Sequence, residues 1–191
     1  MESTLGGSSG QRRLGAALAG VAGVLLLAGC MNGFGGSNDG ESGVDQAARP
    51  SMEEILTRYD EMRLKMFARL NAELGTQSWV NTHDEGIGRA GCPESEDPTD
   101  ESADLPLYSF DGTYPKSDWK RAVEIVQEVG REYGFTDIRS MASQSDNLDV
   151  YGEDGYGGSY DFGMSKNTVL TIITGCHRWD NVPAPDDPEP Y

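Results

Sequence analysis

Hydrophobic and polar positions divide this chain into stretches of different period. Leu14 to Gly29 is apolar and uncharged, with Arg12 and Arg13 immediately before it. The run is shorter than the about 20 residues of a comfortable membrane span, so it reads as the h-region of a secretory signal behind a short positive n-region. From Met31 to Pro50 the apolar pattern lapses into Gly, Ser, Asn and Asp, which predicts a disordered spacer. A coil of about 20 such residues has an end-to-end distance on the order of 25 Å.

A helical period then takes over. Met52, Ile55, Leu56, Tyr59, Met62, Met66, Phe67, Leu70 and Leu74 recur at spacings of three and four, one face of a long helix. Ser51 and Glu54 fit a capping box at its start, and Gly75 supplies the stop. A second helix is expected from Ser117-Asp118, with Trp119, Ala122, Val123, Val126, Val129 and Tyr133 on one side. Gly134-Phe135 fits a Schellman ending. Arg63, Lys65, Lys120 and Glu128 fall on the wet faces.

Elsewhere the period is that of strands. Leu105 to Phe110, Phe135 to Ala142, Leu148 to Tyr151, Tyr160 to Met164 and Thr168 to Thr174 are bounded by turn residues. Tyr160, Phe162 and Met164 alternate with Ser159, Asp161 and Gly163, as in a strand with one buried face. The last strand is apolar on both faces and is expected at the centre of the sheet. The fold class is therefore α+β: an antiparallel sheet of about four to five strands with two main helices packed on one face. The expected organisation is a signal over 1–29, a lipidated cysteine and tether over 30–50, one domain over 51–181, and a Pro-rich acidic tail over 182–191.

The end of the first apolar run, Leu27-Ala28-Gly29-Cys30, resembles the bacterial lipobox. In that reading cleavage falls before Cys30, whose thiol carries a diacylglyceryl group, and the domain stands on the extracytoplasmic face of the cell membrane. Each buried methylene contributes about 0.8 kcal/mol, so two or more acyl chains hold where one binds only reversibly. The alternative is an ordinary signal with Cys30 as an incidental residue. Arg12-Arg13 also fits twin-arginine export, although Gly15 stands where such signals prefer a bulky apolar residue.

Charge narrows the partners. Of 32 acidic residues only Glu2 precedes Cys30, and of 15 basic residues only Arg12 and Arg13 do, so the chain from Cys30 onward carries 31 against 13, near −18. Such a surface repels nucleic acid. With Cys30 assigned to lipid, Cys92 and Cys176 remain, and an even remainder in an oxidising compartment argues for a bridge. Closing a loop of about 84 residues stabilises by about 4 kcal/mol in the entropy model. The bridge would pin the irregular acidic loop around Cys92 to the end of the last strand. A metal site competes, because His177 adjoins Cys176, but only His83 adds an imidazole and no Cys-x-x-Cys is present.

Several segments, taken in order, resemble the LppA-type lipoproteins of mycobacteria and related actinobacteria. They are Gln77-Ser78-Trp79, Gly91-Cys92, Trp119-Lys120-x-Ala122 running into Glu132-Tyr133-Gly134, Asp149-Val150-Tyr151-Gly152, Tyr160-x-Phe162, and Asn167-Thr168-x-Leu170-x-Ile172 ending in Thr174-Gly175-Cys176. The resemblance runs over residues 55 to 178 and implies a compact α+β domain on a lipid anchor, with Cys92 and Cys176 paired. It carries over no catalytic residues and no cofactor. The acidic stretch Pro93 to Asp104 stands apart as a local elaboration.

Candidate chemistry is sparse. His83-Asp84-Glu85 is a polar-loop cluster, and His177 has Asp180 as a candidate hydrogen-bond partner. Asp146-Asn147-x-Asp149 followed by Glu153-Asp154-Gly155 raises calcium without the EF-hand order of ligands. Trp79, Tyr151, Tyr156 and Trp179 sit in loop or edge contexts where aromatics either contact a ligand or close the ends of the core. The resulting expectation is a non-catalytic envelope module binding a glycan, a small hydrophobic ligand or a protein partner, with Gly152 to Gly158 as its most adaptable edge. The alternatives are an enzyme or a calcium-binding protein.

Overall fold

A computed structural model describes residues 49–82, 86–142 and 147–184. Helix α1 (Met52–Leu74) opens on the capping box: Ser51 Oγ accepts from the Glu54 N–H at 3.3 Å, and Glu54 Oε2 accepts from the Ser51 N–H at 3.2 Å. Those two bonds satisfy donors that a helix start otherwise leaves open. Past Gly75, the Gln77 N–H donates back to Asn71 Oδ1 at 3.0 Å and turns the chain away. Helix α2 (Trp119–Glu132) buries Ala122, Ile125, Val126, Val129 and Gly130. It closes as a Schellman motif, with the Phe135 N–H on Gly130 O at 3.0 Å and the Gly134 N–H on Arg131 O at 3.2 Å.

Among the described residues nine strands form one antiparallel sheet: β1 (Val80–Asn81), β2 (Gly88–Gly91), β3 (Asp100–Asp104), β4 (Tyr108–Asp111), β5 (Asp137–Ala142), β6 (Leu148–Glu153), β7 (Ser159–Met164), β8 (Asn167–Ile173) and β9 (His177–Arg178). The main order is β1-β4-β8-β7-β6-β5. Strand β3 pairs with β2, with the end of β8 and with β9. The expected four to five strands are thus too few. The additional ones, β1, β2, β3 and β9, are two to five residues long. They lack apolar alternation, and hydrogen bonding to a neighbour defines them more than burial does. Strand β3 occupies the end of the acidic stretch Pro93 to Asp104, which is not irregular there: Asp100 and Ala103 are buried.

Strand β8 is central, with β4 and β3 along one edge and β7 along the other. Val150 of β6, Tyr160 and Phe162 of β7 and Leu170 of β8 face the helices and share one buried cluster with Ile55, Tyr59, Met62, Ile125 and Val129. Tyr160 is the key to that layer. A methyl on its cross-strand partner Gly152 would lie 2.2 Å from the ring, and one on Gly130 of α2 would lie 2.8 Å away. Two glycines, one from each layer, therefore form the slot that lets helix and sheet close around the ring.

Arg63 departs from expectation: it is buried, at 6% exposure. It shares a helical line with Tyr59 and Phe67, and its guanidinium lies 4.2 Å from the Tyr108 ring centroid while pairing with Asp60. The aromatic platform of β4 supplies packing for the stem and a cation–π contact for the head.

Candidate functional site

Both ends of the domain meet beside the disulfide. Cys92 and Cys176 are bonded, with Cα atoms 6.0 Å apart, and the bridge ties the segment after β2 to the segment after β8. Next to it, Arg49 Nη1 donates to the carbonyls of Tyr156 and Cys176, both at 3.0 Å. His177 is fully buried, and its Nδ1 lies 2.9 Å from Pro50 O. This geometry places the ring proton on Nδ1, donating to the carbonyl. At the start of α1, Glu53 accepts from the N–H groups of Asp180 at 3.1 Å and Asn181 at 2.8 Å. Arg49 and Pro50, the last two residues of the expected tether, are thus hydrogen-bonded into the fold. His177 takes Pro50 rather than Asp180 as its partner, and the Asp180 N–H goes to Glu53.

The glycine-rich segment Gly152 to Gly158 is held from inside, contrary to its expected adaptability. Asp154 Oδ1 accepts from the N–H groups of Tyr156 at 2.8 Å and Gly158 at 2.9 Å, while Tyr59 Oη donates to Asp154 Oδ2. A methyl on Gly158 would meet Tyr59 Oη at 2.2 Å, and one on Gly175 would meet Tyr156 O at 1.9 Å. The glycines serve close approach here rather than motion. Burial and the Asp154 hydrogen bond push the Tyr59 hydroxyl far above its ordinary pKa. Burial also lowers the His177 pKa, with the Arg49 charge acting in the same direction and the bond to Pro50 opposing both.

The four candidate aromatics do not converge. Trp79 stacks on Phe67 at 4.3 Å and meets Phe110 edge-on, closing the core beside β1. Tyr151 stands on the helix-free face of the sheet, donating to Glu153 Oε2 at 3.2 Å with the Arg139 guanidinium 5.8 Å from its ring. Tyr156 contacts the His177 ring at 5.8 Å. Trp179 is buried, donates to Glu101 Oε2 at 2.7 Å and lies under the Arg89 guanidinium. Three of the four close ends of the core, and only Tyr151 is presented on a broad face.

The residues that raised calcium separate as well. Asp154 turns inward to its loop amides, whereas Asp149 lies on the helix-free face of β6. No group of three or more His, Cys, Asp or Glu residues suited to a metal occurs among the described residues. His83, Asp84, Glu85, Asp146 and the lipobox with Cys30 lie outside the described residues.

What the sequence reading missed is the helix-free face. At the groove where Leu105, Pro106 and Leu107 separate β3 from β4, an opening of about 410 Å³ is lined also by Gly86, Gly88, Asp104, Thr171, Ile172 and Ile173. The one sequence signal was Pro106, which interrupts the apolar run Leu105 to Phe110 and predicts a break in pairing. Arg49 carried no signal at all, since its role depends on two carbonyls more than 100 residues away.

Fold and site together define a class: a disulfide-bridged α+β sandwich whose described ends are latched beside the disulfide and whose two described helices cover one face of the sheet. The chain belongs to the LppA family, whose model, described as a lipoprotein confined to pathogenic Mycobacterium, matches residues 45–178. Among solved structures it is similar to the lipoprotein LppA from Mycobacterium tuberculosis, at 20% identity and a TM-score of 0.57 over 73% of this chain and 86% of that one. It is also similar to a DUF4853 family protein from Actinomyces odontolyticus, at 16% identity and a TM-score of 0.55 over 75% of this chain and 77% of that one. At these identities the structural likeness shows the fold. No curated protein matches the chain. Among the described residues no helix is long and apolar enough to cross a membrane.

Proposed function

We infer that this chain is an exported lipoprotein, held to the cell membrane through acylated Cys30, whose domain is a non-catalytic binding module on the extracytoplasmic face. The observation that carries the reading is the latch. Nineteen residues beyond Cys30, Arg49 and Pro50 are hydrogen-bonded to the disulfide end of the domain. A pull on the tether is therefore delivered to the covalently bridged end and not to a fraying helix. Family membership supports the lipoprotein part.

Two features support binding over catalysis. Tyr59, its pKa pushed far up, and His177, its pKa lowered, are engaged with Asp154 and Pro50 inside the fold. The dispersed aromatics offer no stacking platform for a sugar, which favours a protein partner over a glycan or a small hydrophobic ligand. Metabolic labelling with a palmitate analogue tests the anchor. Label and membrane association are expected in the wild type and lost in Cys30→Ala; a Cys30→Ala protein that keeps both overturns it.

A further inference from the structure

On the helix-free face several carboxylates stand without a cation among the described residues. On the helical side, three carboxylates are matched across the two helices: Arg69 reaches Glu128 at 2.7 Å, Arg121 reaches Glu73 at 2.6 Å, and Lys65 pairs with Glu132. On the sheet face the cation of β5, Arg139, is taken by Asp137 at 2.6 Å. No ion pair among the described residues involves Asp104, Asp149 or Asp161. Asp149 and Asp161 crowd each other instead. A methyl on Gly163 between them would lie 3.0 Å from an Asp149 oxygen and 3.7 Å from an Asp161 oxygen.

Asp104 lines an apolar groove, and Asp161 stands opposite Thr171 of the same groove. Its β8 wall is Thr171 to Ile173, and Ile173 is 42% exposed. Cross-strand register puts Asp104 opposite Ile173 on one side of β8 and Asp161 opposite Thr171 on the other. Opposite residues of an antiparallel pair share a face, so the two carboxylates flank β8 about 10 Å apart across the strands. Leu105, Pro106 and Leu107, which link β3 to β4 along the same edge of β8, line the other side of the groove. A cation laid across this strip relieves the crowding of Asp149 and Asp161, while an apolar side chain beside it fills the groove.

We propose that the groove over β8 is the docking site for a cationic polypeptide segment, one apolar residue seated against Ile173 and Leu105 with Lys or Arg side chains reaching Asp104 and Asp161. This rests on the binding-module reading and names its partner class. Binding of a fluorescent peptide alternating lysine and leucine to the full chain tests it, with a lysine–serine peptide and a glutamate–leucine peptide as comparisons. The lysine–leucine peptide is expected to bind best. Its affinity should fall at least tenfold in the double variant Asp104→Asn, Asp161→Asn and in Ile173→Lys. It should be unchanged in Glu61→Gln, Glu94→Gln, which removes the same charge elsewhere, and thermal unfolding should show all variants folded. Equal losses in the face and control variants, equal binding of the lysine–serine peptide, or displacement of the peptide by millimolar calcium alone would each overturn it. Crosslinking of the full chain in intact cells separates the two levels. Crosslinks that survive in Ile173→Lys overturn the groove but leave a binding module, and the absence of any crosslink in the wild type overturns both.

Discussion

Replacing Gly152 by alanine tests whether the Tyr160 slot sets the spacing between helix and sheet. The new methyl would sit 2.2 Å from Cε1, 2.5 Å from Cζ and 2.8 Å from Oη of Tyr160. The ring has no free direction in which to retreat: Gly130 backs it on α2, and the Phe135 centroid lies 5.2 Å away. Overpacking of a core costs about 1–3 kcal/mol, and three ring atoms inside contact distance put this case at the upper end. Against that, alanine recovers about 0.5–1 kcal/mol by narrowing the unfolded ensemble. The net expectation is a loss of about 2 kcal/mol, which for a domain of this size lowers Tm by about 6–8 °C.

Thermal and denaturant unfolding of Gly152→Ala, Tyr160→Leu and the double variant makes the test specific. Tyr160→Leu alone should cost about 2–3 kcal/mol as a large-to-small change. In its background, Gly152→Ala should cost almost nothing, because the colliding ring atoms are gone, giving a coupling of about 1.5–2 kcal/mol. A Gly152→Ala protein as stable as the wild type, or additive losses in the double variant, would refute the slot.

Other expectations address the latch and the sheet face. His177 has a folded-state pKa below its unfolded value, so its contribution to stability is complete above about pH 6.5. That contribution drains away as pH falls through the lowered folded value; urea midpoints between pH 8 and 5 should show the slope, and His177→Gln should flatten it. Arg49→Ala removes donors to two carbonyls and should cost about 1–2 kcal/mol, with faster amide exchange at the start of α1 if the latch is real. Reduction of the chain, or Cys92→Ala with Cys176→Ala, should cost on the order of 4 kcal/mol by unfolding midpoint; a cost near zero would mean the hydrogen bonds hold that end unaided. Asp161 behaves oppositely to His177: desolvation first, then Asp149, raises its folded pKa, so its contribution is most favourable at acid pH and declines as pH rises through that value. Asp161→Asn should therefore stabilise the domain at pH 7, measured by Tm.

The sequence made the core legible and left the rim obscure, for one physical reason. Residues such as Ile55, Tyr59, Val126 and Phe162 announce their element by a repeating period, because one face of each element loses its contact with water. The β2–β3 ribbon has no such period: Gly88-Arg89-Ala90-Gly91 and Asp100-Glu101-Ser102-Ala103-Asp104 pair through backbone bonds, with only Asp100 and Ala103 buried. Arg63 misled for the converse reason. Its charge read as wet, while the Tyr108 ring that covers it arrives from a strand 45 positions later in the chain. The candidate aromatics divided along the same line. Trp79, Tyr156 and Trp179 lie beside turns, where a ring needed to close the core cannot be told from one offered to a ligand until its neighbours are known.

Charge has two uses in this protein. A total of −17 says only that the surface is acidic. Distributed over the fold, Glu73, Glu128 and Glu132 of the two helices meet Arg121, Arg69 and Lys65 in exposed pairs that bridge helix to helix and are screened by solvent. On the sheet face, Asp149 and Asp161 have no such partner among the described residues. Asp149 beside Asp161 costs stability with no ion pair to offset it among the described residues, and a fold selected for stability alone has a simple remedy in asparagine at either position. Asp161 faces Thr171, two positions from the exposed Ile173, on the face that no described helix covers, so the cationic segment proposed above would supply the charge that this pair lacks.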